Sequence, residues 1–170
     1  MWTPSYFKNQ NHNMMKKILP VLIAVLCIMS AVNAQDYKTG VGLRGGFFNG
    51  LTVKHFVKSN SAFEGLLFSR WKGFEITGLY EVHAPAFQTD RLKWYFGGGG
   101  HLGFYNGDNT TWGESGNYYT NIGIDGILGI EYSIKEIPLN IGLDWKPEFN
   151  IFGWREVWYD AVALSVRFIF

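Results

Sequence analysis

The stretch AFEGLLFSRWKGFEITGLYEV, residues 62–82, carries the pattern that decides the fold. Phe63, Leu67 and Trp71 share one parity before Lys72-Gly73; Phe74, Ile76, Tyr80 and Val82 share one after it. The intervening positions hold Glu64, Arg70, Glu75 and Glu81. A period of two marks β-strands, whose successive side chains point to opposite faces. A Lys-Gly pair between two such runs reads as a two-residue hairpin turn. With that turn, Arg70 lies opposite Glu75, and Gly65 lies opposite Tyr80, whose ring covers the bare glycine.

The alternation continues in both directions and predicts eight strands, at 37–47, 51–58, 62–71, 74–83, 91–105, 118–134, 138–149 and 159–170. One face is apolar throughout, for example Val41, Leu43, Leu51, Val53, Leu102, Ile124, Leu128, Leu143 and Leu164. The other holds Arg44, Lys54, Glu64, Arg70, Glu75, Glu81, Lys93, Asp125, Glu131, Asp144, Lys146 and Arg167. A three-residue loop Phe48-Asn49-Gly50 sets Phe47 beside Leu51 and Arg44 opposite Lys54, so Lys54 needs Glu64 on the third strand. Symmetric pairing of strands five and six puts Lys93 opposite Glu131 and His101 near Asp125. Gly97 to Gly100 permit a sharp bend; a phosphate loop would need a helix after them, and His101 to Tyr105 continue as strand.

Residues 1–34 read as an address. Lys16-Lys17 precede an apolar core, Ile18 to Met29, and a cleavage region ending at Ala34, so processing is expected between Ala34 and Gln35. The core is short for a membrane span; an anchor helix is the alternative. Residues 1–13 precede Met14-Met15 and read as a mis-called start extension, which leaves 14–34 as signal peptide and 35–170 as one barrel. Cys27, the one cysteine, falls in the signal core behind Leu26, where lipoprotein signals have a small residue. The processed chain then offers no disulfide or thiol chemistry. Aromatics at 18%, 21 glycines and only 17% charged residues argue against disorder and against a helical bundle. Lys8, Lys16 and Lys17 are the basic residues before Gln35, which leaves 12 basic against 14 acidic beyond it and no electrostatic case for nucleic acid.

The expected fold class is all-β: an eight-stranded antiparallel up-and-down transmembrane barrel behind a cleaved signal peptide. Alternation alone does not state which face is inward, and a secreted β-sandwich or lipocalin-like barrel would bury the apolar one. The signal, the even strand number, the long strands and the aromatic strand ends favour apolar-out. Both chain ends then lie on the periplasmic side, with external loops at 48–50, 72–73, 106–117 and 150–158.

The C-terminal alternation Val162-x-Leu164-x-Val166-x-Phe168-x-Phe170 resembles the signal that outer-membrane barrels present to the barrel-assembly machinery. Residues 36–170, with LKWYFGGGGHLGFY (92–105) and IPLNIGLDWKPEFNIF (137–152), are similar to the small eight-stranded outer-membrane β-barrel family of Gram-negative bacteria, whose members mostly lack an assigned activity. That resemblance implies an outer-membrane location, lipid and lipopolysaccharide as surroundings, and Val166, Phe168 and Phe170 as the assembly signal.

The function expected is a structural barrel with a closed, charge-paired lumen (Lys93–Glu131, Arg70–Glu75, Lys54–Glu64), its loops presenting a surface for binding or adhesion to an extracellular ligand. Trp112, Trp154 and Trp158 in those loops are candidates for stacking on sugars. A lipid A-modifying enzyme, acyl hydrolase or transferase, is the alternative; a narrow, porin-like channel is the third reading. His101 with Asp125 would be the base, but no serine lies convincingly beside them: Ser115 is in a loop and Ser133 toward the other end. His83 and His101 lie on different strands, no metal spacing occurs, and no cofactor is expected. His55 falls on the apolar face.

Overall fold

The computed structural model describes residues 37–46, 49–70, 72–110, 113–153, 157–159 and 161–170, without the side chains of Arg70 and Trp158. The start extension, the signal peptide with its Ala34–Gln35 junction, and Phe47, Phe48, Trp71, Trp112 and Trp154 lie outside the described residues. Ten strands form among the described residues: β1 (Thr39–Gly46), β2 (Asn49–Lys58), β3 (Ser61–Arg70), β4 (Gly73–Pro85), β5 (Leu92–Asn106), β6 (Tyr118–Ser133), β7 (Leu139–Trp145), β8 (Glu148–Phe152), β9 (Val157–Trp158) and β10 (Val162–Ile169).

These make eight walls. The seventh strand, expected unbroken over 138–149, is interrupted at Lys146-Pro147, because proline has no N–H for the ladder. Its halves β7 and β8 keep one register against β6, from Leu128 opposite Trp145 to Asp125 opposite Glu148. β9 and β10 are the eighth strand, bulged between them, with the Lys146 amide donating to the Ala161 carbonyl across the break. All pairings are antiparallel. The order β5-β4-β3-β2-β1-β10-β7-β6 closes through β5–β6, so the chain is an eight-stranded up-and-down barrel without a free edge at the closure.

A circuit of paired residues measures the stagger. It runs from Leu139 through Phe168, Val41, Val53, Gly65, Gly78, Gly100 and Ile124 and returns to the same strand at Phe149, ten positions along. Such a shear tilts the strands by about 35–45° from the barrel axis. It also brings residues distant in sequence to one level of the lumen.

Two expected registers are corrected. In the β3–β4 hairpin Arg70 pairs with Gly73 and Gly65 with Gly78, and Lys72 is in the left-handed region (φ 54°). Arg70 therefore does not face Glu75, and the ring of Tyr80 packs edge-on against Phe63, with centroids 5.2 Å apart. In the first hairpin Arg44 pairs with Gly50 and Lys54 with Gly40, so those two cations are not opposed. Both slips are by an even number of residues, and every described residue keeps the face that the alternation assigned it. His55 stays on the outer face, its Nδ1 2.9 Å from the Thr39 hydroxyl.

The faces are inverted relative to a soluble barrel. Leu43 is 67% exposed and Ile124 54%, whereas Arg167, Lys54 and Lys146 are fully buried. No helix among the described residues is long and apolar enough to cross a membrane. Phe74 and Phe104 pair on the outer surface near the end bearing the 107–117 loop, and Trp94 and Tyr132 lie near the end bearing the chain ends. Inside, Leu66, Phe68, Leu79, Tyr95, Ile127 and Ala161 form an apolar layer across the lumen. Tyr37, Phe56, Ala62 and Ile169 form a second one at the chain-end mouth.

Candidate functional site

Outside those two layers the inward side chains, apart from Ala163 and the inward glycines, are mostly polar. They gather into two clusters, because the tilt delivers charges from several strands to the same height.

The chain-end cluster centres on Lys54. Its ammonium lies 2.8 Å from Glu81, 3.3 Å from Glu131 and 3.4 Å from Glu64. Lys54 also sits 3.9 Å from the centre of the Tyr95 ring, which ties this cluster to the apolar layer. Arg167 donates to Glu64, to the Thr52 hydroxyl (3.0 Å) and to Asn140 (3.3 Å). His83 stands 3.1 Å from Glu81 and 3.4 Å from Glu131, and the Tyr37 hydroxyl donates to both oxygens of Glu131 at 3.1 Å. Arg44 and Asp144 form a separate pair, with Tyr95 donating to Asp144 at 3.2 Å. Burial on this scale is tolerated because each of these charges has an opposite partner within ionic reach, and Glu64, Glu131 and Arg167 have further hydrogen bonds.

The loop-end chamber holds Glu75, His101, Asp125, Lys146 and Glu148. Lys146 donates to Glu148, lies 3.2 Å from Asp125 and 3.9 Å from Glu75. His101 Nδ1 is 3.0 Å from Asp125, and its Nε2 is 2.7 Å from the Asn150 side-chain oxygen. Tyr105 donates to Glu75 at 2.8 Å. Lys146 stands 5.3 Å from the centre of the Phe68 ring, so the same apolar layer floors this chamber.

No family model and no curated protein sequence matches this chain.

The structure sorts the anticipated residues as follows. Lys54 and Glu64 are opposite each other and in ionic contact. Lys93 is opposite Glu131, but the Glu131 carboxylate is engaged by Tyr37, Lys54 and His83, while the Lys93 ammonium lies 5.6 Å from the centre of the Phe56 ring. Glu75 faces Phe68 and Gly103 and serves the loop-end chamber, away from Arg70's pairing with Gly73. His101 and Asp125 do meet, diagonally, since His101 pairs with Gly123. Both His101 nitrogens are committed, to Asp125 and Asn150, and no hydroxyl among the described residues stands in a nucleophile's place beside them. Val166 and Phe170 are on the exposed outer surface, with Phe168 half-buried on the same face.

Glu148, His83, Tyr37 and Tyr95 were not anticipated as lumen partners. Parity alone marks three of them: Glu148 follows Asp144 and Lys146, His83 follows Glu81, and Tyr95 follows Lys93. Which partners they meet depends on the stagger, which parity does not carry. Inward glycines make room for the rings: a Cβ on Gly129 would lie 2.5 Å from Tyr95, and one on Gly123 2.5 Å from His101.

Proposed function

We propose that this chain is a small exported outer-membrane barrel whose sealed lumen is a structural core and whose loops make any contact with extracellular ligands. The single observation that carries the reading is the inversion of faces. An exposed apolar surface covering the whole circumference would associate in water. A hydrocarbon layer is the solvent that suits it, and closure of the barrel leaves no unpaired ladder facing that layer. Aromatic rings near both ends of the apolar band match the preference of such rings for a membrane interface. The outward row Val166, Phe168 and Phe170 supports recognition by the barrel-assembly machinery, and lipid, including lipopolysaccharide, is the expected surrounding.

The closed lumen is favoured over a channel because two apolar layers and a crosslinked charge cluster fill the cross-section, as expected where an eight-stranded barrel is just wide enough for its own side chains. The lipid A-modifying reading has a base in His101–Asp125, but Asn150 occupies the position a nucleophile needs.

The test is reconstitution of the processed chain. It should fold in detergent micelles or lipid vesicles and not in plain buffer, and give no steady conductance in planar bilayers. A folded, monomeric, detergent-free protein would refute the membrane reading; a large stable conductance would refute the sealed lumen.

A further inference from the structure

We infer that the loop-end chamber is a binding site for one divalent transition-metal ion of the zinc type, held by Glu75, His101 and Glu148. This goes beyond the proposed function and rests on the side chains that the barrel's register brings together. The three residues come from three different strands, β4, β5 and β8. Each offers a ligand atom within 4.8 Å of the other two, and each is at most 3% exposed. Ligand atoms at ~2.0–2.2 Å from one zinc ion lie roughly 3–4 Å apart, so only a small contraction closes the set.

The imidazole is oriented for the task. Asp125 holds Nδ1, which leaves Nε2 as the nitrogen to coordinate; a carboxylate behind a metal-bound histidine fixes its tautomer in just this way. Nε2 now meets the Asn150 oxygen, and half-buried Asn150 is the ligand that a metal would displace. Gly123 beneath the ring has no side chain to obstruct it.

Charge supplies the independent argument. Among the described residues, three buried carboxylates, Glu75, Asp125 and Glu148, face one ammonium, Lys146, and one imidazole, His101. Lys146 donates to Glu148 and reaches toward the other two, so it holds the place of a cation without closing the charge. A mixed set of imidazole and carboxylate suits zinc or manganese; calcium takes more oxygen ligands, and magnesium dehydrates reluctantly. Metal and Lys146 therefore compete for the same carboxylates.

The experiment titrates the refolded full barrel with Zn2+ by calorimetry, with Ca2+ and Mg2+ in parallel. One Zn2+ per barrel is expected, at least tenfold tighter than Ca2+ or Mg2+. His101→Ala and Glu148→Gln should weaken it at least tenfold, while His55→Ala on the outer face should leave it unchanged. Lys146→Met should tighten it at least tenfold, the opposite sign from a merely structural lysine. No saturable Zn2+ binding, or binding indifferent to His101 and Glu148, overturns the assignment. If those two variants do not fold, Lys146→Met and X-ray absorption on zinc-loaded His55→Ala decide it. One nitrogen with oxygens and tighter binding are expected; an all-oxygen shell or an unchanged affinity overturns it.

Discussion

Arg167 is the side chain whose removal tests the lumen most directly. It is fully buried, donates to Glu64, Thr52 and Asn140, and lies 3.9 Å from Glu131. Arg167→Met keeps much of the apolar stem but leaves Glu64 with Lys54, at 3.4 Å, as its remaining cation. Breaking a buried ion pair from one side costs about 3–5 kcal/mol, because the abandoned charge stays desolvated. Arg167→Lys keeps the charge but cannot reach three acceptors in three directions, and losing the fork should cost about 1–3 kcal/mol. Glu64→Gln on the Arg167→Met background removes the stranded charge, so the double variant should be more stable than the sum of the singles by about 1–3 kcal/mol. The assay is reversible urea unfolding in lipid vesicles, followed by tryptophan fluorescence. A loss below about 1 kcal/mol for Arg167→Met, or zero coupling to Glu64, would refute the crosslinked lumen.

Inward and outward glycines should behave oppositely: Gly129→Ala drives a methyl into Tyr95 and Asp144 and should cost about 1–3 kcal/mol, whereas Gly78→Ala, with open space around it, should be nearly neutral in the same unfolding assay. Leu128→Arg on the apolar exterior should cost about 2–4 kcal/mol in vesicles if it sits near the midplane; the same change at exposed Ser59 should be silent, and equal tolerance would mean the exterior does not face lipid. In the 107–117 loop, the Ser115 hydroxyl, the Gly116 amide and the Asn106 side chain hold the Asp108 carboxyl below its ordinary range. A carboxyl depressed in the folded loop stabilises it above the ordinary aspartate range and releases that contribution as pH falls through the lowered value. Protection of the Gly116 amide from hydrogen exchange should therefore fall in acid, and Asp108→Asn should abolish the dependence.

Strand number and face were legible in the sequence because both depend on parity. A strand's apolar set survives any slip by two residues, so the pattern placed Leu43 with Leu51 and Phe63 with Tyr80 on one face whatever the turn. For the same reason it was blind to the slips themselves: the pairings of Arg70 with Gly73 and of Arg44 with Gly50 depart from the expected ones by an even count, and parity does not change. Pro147 was visible as a residue, but that the strand resumes in register beyond it, bringing Glu148 inward, follows from pairing with β6. Which face is inside, and who meets whom there, are properties of closure. Lys54 gathers Glu64, Glu81 and Glu131 from three strands because the ten-residue stagger lifts them to one height. Alternation along a chain records the two sides of a sheet; only the closed, sheared barrel decides which side becomes its interior and which charges share it.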